Sequence, residues 1–181
     1  EYCNEDIKDV YHELFDDALK RYNDKQTRKD RKIDDYYEKI RSGKQEKLFH
    51  EVILQIGDKD NMGSETMEGQ LAAKILDEYM KGFQERNPTL RVFAAHLHLD
   101  EATPHLHIDF IPYVTGSKRG LDTRVSLKQA LSSLGFKGGS RSETELNQWV
   151  QSEKQKLAMV MRENEIEWDQ KGTHEQHLSV L

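Results

Sequence analysis

Apolar positions along this chain follow two spacings, and each spacing predicts a different kind of element. Apolar residues three or four positions apart predict a long amphipathic helix from an Asn4 N-cap to about Lys25. The same spacing predicts a shorter helix that ends near Gly43. It also predicts a second long helix, which Ser64 caps and which ends before Asn87.

Alternating apolar and polar positions predict three strands, over residues 48–56, 90–99 and 105–114. Turn-forming residues join the last two strands, which should therefore pair as an antiparallel hairpin. Helical spacing returns over residues 126–134, and again after a capping box that begins at Ser142.

The order of these elements predicts the fold class. A strand, a helix and a hairpin in succession, with helices packed on one face of the sheet, are typical of an α+β domain with an antiparallel sheet. The length of 181 residues suits a single domain over residues 1–181 that buries a substantial core. The other face of the sheet is then free to carry a functional site.

The predicted hairpin carries four of the eight histidines, at His96, His98, His105 and His107. Residues two apart in a strand point to the same face, so each strand presents two imidazoles on one side. In an antiparallel pair these imidazoles can converge beside Glu101. The intervening apolar residues would form the opposite, core-facing side: Leu97, Leu99, Leu106, Ile108 and Phe110.

A group of imidazoles of this kind predicts a metal site. Four adjacent imidazoles are unfavourable when they are protonated together, and a metal ion resolves this. Three neutral imidazoles suit Mn²⁺, Zn²⁺, Fe²⁺ or Ni²⁺, whereas Mg²⁺ usually prefers more oxygen ligands. A structural or pH-responsive cluster is the alternative interpretation. The spacing fits Lewis-acid chemistry on a phosphate and metal-assisted oxidation equally well.

Charge is distributed unevenly along the chain. The net charge is −6, but residues 114–162 contain nine bases and four acids, a local charge of +5. The acidic total argues against a general nucleic-acid coat protein and leaves room for a local basic groove. Two glycine-containing loops, at residues 116–120 and 137–141, carry part of the basic excess.

The histidine hairpin closely resembles the third motif of the MobV (Pre/Mob) relaxases, which are plasmid recombination or mobilisation enzymes of the HUH endonuclease superfamily. The matching pattern is His98-x-Asp100-Glu101-x-Thr103-Pro104-His105-x-His107, with Leu106 at the hydrophobic position between the two histidines. Weaker similarity extends to residues 11–15, 49–52 and 124–131.

The resemblance implies a metal-dependent enzyme that nicks and rejoins single-stranded DNA at a plasmid transfer origin. His98, His105 and His107 would be the metal ligands, with Mn²⁺ as the expected ion and Mg²⁺ or Zn²⁺ as alternatives. Glu101 would be a nearby catalytic carboxylate that orients a ligand or tunes the metal. The family fold is an antiparallel sheet with helices on one face and the metal site on the other, in agreement with the pattern above.

Single-stranded origin DNA is the expected partner, and basic loops would hold its phosphate backbone. The candidate DNA contacts are His96, Lys118, Arg119, Arg124, Lys137 and Arg141. His96 lies outside the matched motif, so we expect it to support the site or contact DNA rather than bind the metal. The conjugation machinery is a further possible partner.

The similarity breaks down at the nucleophile. Relaxases of this family carry it in a first motif with His, Asn and Arg on the first strand, which this sequence does not contain. His12 lies on a predicted helix, and Tyr11, Tyr22, Tyr36 and Tyr37 follow core spacing. We therefore expect a fragment that lacks the first strand and the nucleophile motif, and that binds metal and DNA but nicks weakly.

Two other interpretations remain open. One is a non-catalytic DNA-binding domain of the same fold. The other is a cupin-type metal-dependent oxidoreductase, which the spacing of His96, His98 and Glu101 loosely resembles. The chain has no apolar run of the roughly 20 residues that a membrane helix needs, and its single Cys3 suits a reducing compartment. We therefore expect a cytoplasmic protein.

Overall fold

The computed structural model describes residues 1–57, 63–100 and 103–167. The strands are β1 (Cys3–Asn4), β2 (His50–Gln55), β3 (Leu90–His98), β4 (His105–Val114) and β5 (Arg124–Val125). The helices are α1 (Ile7–Asp24), α2 (Tyr36–Ser42), α3 (Met67–Lys81), α4 (Phe83–Arg86), α5 (Leu127–Ser133) and α6 (Glu145–Glu163), and a 3₁₀ turn spans Lys29–Arg31.

These strands form one antiparallel sheet with β3 and β4 at its centre. The order is β1-β3-β4-β2, and β5 pairs with the end of β4 beyond β2. A register shift between Val92 and Ala94 interrupts the β3–β4 ladder. The predicted fold class, α+β with an antiparallel sheet, is confirmed.

The main core lies between one face of the sheet and a layer formed by α3, α4, α5 and α6. Leu106, Ile108 and Phe110 of β4 point into it and are at most 1% exposed. Burial of such side chains stabilises the fold by about 1.5–3 kcal/mol each. Of the residues predicted to share this face, Leu99 is the exception. It follows the last residue of β3 and is 50% exposed.

The histidine face also carries helices, over one half of its length. From His105 to Asp109 the residues of β4 alternate between partly exposed and buried, whereas Phe110, Ile111 and Pro112 are buried in succession. The change occurs because α1 and α2 pack there, with Phe15 and Tyr36 in one cluster with Ile111. Helices were predicted on one face of the sheet, and the structure adds a second, smaller helical layer on the histidine face. Among the described residues, this second layer leaves the histidine end of the strands uncovered.

Several helix starts differ from the prediction, although the helices themselves are present. The N-cap of α1 is Asp6 rather than Asn4, which pairs in β1. Thr66 rather than Ser64 caps α3, and Thr144 rather than Ser142 caps α6. In each case another acceptor lies two residues further along, and the chain path decides which one reaches the free N–H groups.

Candidate metal centre

Three histidines of the β3–β4 hairpin meet on the open half of the sheet. His98, His105 and His107 each offer one nitrogen, and these nitrogens all lie within 4.8 Å of one another. His98 and His105 are directly opposite in the ladder, and His107 is the next residue on the same face. Their ring centroids are 5.0 Å apart in every pair. The hairpin register therefore produces the cluster.

Hydrogen bonds orient two of these imidazoles. His107 Nδ1 lies 2.7 Å from Glu51 Oε1, and His105 Nδ1 lies 2.9 Å from the carbonyl oxygen of Thr103. A carbonyl or an ionised carboxylate can only accept, so each Nδ1 carries the hydrogen and donates it. In a ring that carries its hydrogen on Nδ1, Nε2 is the nitrogen that can bind a metal, which is the usual arrangement in histidine metal sites.

The donor set fits a divalent transition metal. Three neutral imidazole nitrogens suit Mn²⁺, Zn²⁺ or Fe²⁺, and positions beyond these three are available to substrate or water. Among the described residues, the surface around the histidines is accessible, because α1 and α2 cover only the other half of this face. Ile53, which pairs with His107 across β2 and β4, is 50% exposed. A phosphate of a DNA strand could therefore approach the three nitrogens.

His96 lies beside this cluster without joining it. Its ring centroid is 6.2 Å from that of His98, and its Nδ1 is 3.7 Å from Glu1 Oε2. His96 faces His107 across the ladder. This position agrees with a supporting or DNA-contacting role, which stays a prediction.

The predicted carboxylate Glu101 lies outside the described residues. Two other acids on the histidine face were not singled out from the sequence: Glu51 on β2 and Asp109 on β4, which face each other in the ladder. Asp109 Oδ1 is buried and has no hydrogen-bond partner among the described residues. Burial raises the pKa of Asp109, and the neighbouring Glu51 charge raises it further. The i, i+2 alternation from His105 through His107 to Asp109 is the signal that could have identified it.

The basic candidates for DNA contact lie in two separate regions. Arg119 and Arg124 line a cavity beside α2, and Arg124 Nε donates to Ser117 Oγ at 2.8 Å. Lys137 and Arg141 lie in the loop between α5 and α6, which belong to the helical layer on the other face of the sheet. The remaining candidate, Lys118, is exposed in the loop between β4 and β5. The DNA role of each remains a prediction.

The chain is similar to a known protein family over most of its length. The family model described as "Plasmid recombination enzyme" matches residues 1–171. The chain belongs to this family. The match confirms the resemblance to MobV (Pre/Mob) relaxases that the histidine motif indicated, and it supports a function in plasmid recombination or mobilisation with DNA as the partner. The curated proteins and the solved structures that were searched contain no match.

None of the helices in the described ranges is both long enough and apolar enough to span a membrane.

Proposed function

We propose that this plasmid recombination enzyme acts by nicking and rejoining single-stranded DNA at a plasmid transfer origin, with a divalent metal, Mn²⁺ in particular, held by His98, His105 and His107. The observation that carries the proposal is the convergence of these three nitrogens within 4.8 Å on an open sheet face, in a chain of this family. When bound there, the metal would supply Lewis-acid polarisation of the scissile phosphate.

The protein side chains have separate tasks in this proposal. The three imidazoles hold the ion, and Glu51 fixes the ring of His107 through the 2.7 Å hydrogen bond. Glu101 is proposed as a further carboxylate that orients a ligand or tunes the metal. His96 and the basic side chains of Lys118, Arg119, Arg124, Lys137 and Arg141 are proposed to contact the DNA strand.

The proposed reaction is a transesterification. A protein nucleophile attacks the scissile phosphorus, the bond from phosphorus to the 3′ oxygen breaks, and the leaving 3′ oxygen takes up a proton. The strand end remains bonded to the protein through its 5′ phosphate. Attack by a 3′-OH on this bond reverses the steps and rejoins the strand, so no other reagent is needed.

We assign no described tyrosine as the nucleophile. Tyr11 and Tyr36 are buried in the cluster beneath α1 and α2, at 2% and 8% exposure. The Tyr2 hydroxyl donates to Asp77 Oδ1 on α3. We propose instead that the attacking group belongs to the family's first motif, which we do not find in residues 1–181, so that these residues alone bind metal and DNA but nick weakly.

Incubation with Mn²⁺ and a labelled single-stranded origin oligonucleotide tests the proposal. The fragment hypothesis predicts retention of the oligonucleotide with little covalent product, and a chain extended through the first motif should form a denaturation-resistant protein–DNA band. Retention with no band from either chain would favour the non-catalytic DNA-binding alternative. If the extended chain gives no retention and no covalent band, the relaxase proposal is contradicted.

A further inference from the structure

A basic cavity lies beside α2, away from the histidine cluster. Its volume is about 720 Å³, and its walls come from α1, α2, the segment after α2 and the loop that leads into β5. Val125 of β5 lines it and pairs with Tyr113 of β4. Tyr113 is six residues beyond His107, about 20 Å along the strand. The cavity is on the same side of the sheet as the histidines, because its lining residues Tyr36, Leu121 and Val125 belong to the α1–α2 cluster.

Positive charge is concentrated in this cavity. Lys39, Lys44, Arg119 and Arg124 line it together with one acid, Glu46, although the whole chain has a net charge of −6. Burial raises the pKa of Glu46, whereas the hydrogen bond from the Leu127 N–H and the Arg124 charge lower it, and four cations face this single acid. The cavity therefore presents a strongly positive surface in an acidic protein.

None of the four cations forms a close ion pair. Within the described ranges, none of them has a carboxylate oxygen within 4.0 Å, although Arg124 donates a hydrogen bond to Ser117 Oγ and its charge acts on Glu46. The nearby Arg21 and Arg41, in contrast, form ion pairs with Asp122 and Glu38. Gly120 has φ near +69°, a backbone conformation that glycine adopts without strain, and it makes the turn next to Arg119 at the cavity. Cations that lack a close ion pair and gather at one concave site are suited to bind an anionic ligand.

The remaining lining is apolar and aromatic. Ile33 and Ile40 contribute partly exposed aliphatic surface above the buried Leu121 and Val125, and Tyr22 contributes a partly exposed aromatic ring. An inorganic anion would leave this surface without a partner, whereas a nucleotide offers both a phosphate and a flat, largely apolar base. The volume lies within the usual range of pockets that enclose small organic ligands.

We infer that this cavity binds a nucleotide of single-stranded DNA, with the phosphate on Arg119, Arg124 and Lys44 and the base against the aliphatic wall. The inference deepens the proposed function, because it gives the substrate strand a second point of attachment besides the histidine cluster. At 3.4 Å per stacked nucleotide, the separation of about 20 Å corresponds to about six nucleotides from the nick, and fewer if the strand is extended.

Binding of the short probe 5′-phosphorylated thymidine dinucleotide to the whole chain tests this inference. The titration is made in metal-free buffer with chelator and followed by backbone amide NMR, so the result does not depend on cleavage. We expect the amides of residues 39–46 and 119–125 to shift. Arg119→Ala and Arg124→Ala should each weaken binding about tenfold, because each removes a charge-assisted hydrogen bond.

Arg41→Ala is the matched control, because it removes the same charge from α2 at a side chain that does not line the cavity. It should leave dinucleotide affinity within about twofold of the unsubstituted protein. Inorganic phosphate and unphosphorylated thymidine are titrated as separate arms, and each should bind at least tenfold more weakly than the dinucleotide.

Several results would overturn the inference. Equal affinity for phosphate and dinucleotide would identify a plain anion site, and shifts confined to the histidine cluster would place the strand elsewhere. Loss of affinity in Arg41→Ala equal to that in Arg124→Ala would indicate a general charge effect. A failure here, accompanied by covalent product from the extended chain, would refute the cavity inference and leave the proposed function intact.

Discussion

At the scale of single residues, the side chain that adds most to the metal site predicted from the sequence is Glu51. It lies on β2, more than 40 positions before the histidine motif in the sequence, and accepts a hydrogen bond from His107. The sequence places it near the start of a strand but cannot show which residue it faces. That pairing depends on the register between β2 and β4, which is set by tertiary packing.

Glu51→Ala should weaken metal binding while preserving the fold. The carboxylate holds the His107 ring and its Nδ1 hydrogen, and loss of such an outer partner typically reduces metal affinity 10- to 100-fold. Isothermal titration with Mn²⁺ measures the change. Glu38→Ala, which removes an exposed acid from α2, is the control and should not alter the affinity. Equal affinities for the two variants would contradict the role assigned to Glu51.

At the scale of elements, the hairpin was the most predictable part of the chain. The alternation of apolar and polar residues correctly predicted the bounds of β4 at 105–114 and the start of β3 at residue 90. The pattern is clear because one face of each strand is buried and the other carries polar residues at the histidine end. Helix starts were less predictable. Sequences before α1, α3 and α6 contain several residues that can cap, and only the three-dimensional path selects among them.

The start of α6 offers a direct test, because two candidate caps lie two residues apart. Thr144 Oγ1 accepts from the Asn147 N–H, so Thr144→Ala should lower the free energy of unfolding by about 1 kcal/mol. Ser142→Ala should change it by less than about 0.5 kcal/mol, because Ser142 precedes the cap. Urea denaturation distinguishes these outcomes. If Ser142→Ala lowers the free energy of unfolding more than Thr144→Ala does, Ser142 is the N-cap, as the capping box predicted.

At the scale of the whole molecule, a buried polar network joins α6 to α3 and to the chain that leads into β3. Glu153 is 8% exposed and accepts from the Tyr79 hydroxyl, from Arg86 and from Asn87. Trp149 donates its indole N–H to Asn87 Oδ1. Neither periodicity nor charge pattern could predict this network, because the residues that these hydrogen bonds join are 62 to 74 positions apart in the sequence.

Glu153→Ala should destabilise the whole fold by about 3 kcal/mol or more, because it leaves the half-buried Arg86 charge without its partner. Glu163→Ala removes an exposed acid from the same helix and should have an effect of less than about 0.5 kcal/mol. Thermal and urea unfolding of both variants give the comparison. Similar stabilities would mean that the network does not hold α6 in place.

The two helical layers also determine where chemistry can occur. The α3–α6 layer covers one face of the sheet, and the α1–α2 layer covers the far half of the other face. In the part of the chain that the structure describes, the open regions are the end with His98, His105 and His107 and, beside α2, the basic cavity. The sequence motif located the first of these sites, whereas the second required residues from four segments to be brought together.

The most direct test of the metal centre is the amount of Mn²⁺ bound per chain, measured by equilibrium dialysis on the unsubstituted protein, His105→Ala and His12→Ala. We expect about one ion per chain for the unsubstituted protein and for His12→Ala, whose exposed imidazole pairs with Asp16 on α1. His105→Ala should lose most of the binding, with an unchanged circular dichroism spectrum. An unchanged stoichiometry in His105→Ala would contradict the three-histidine metal site.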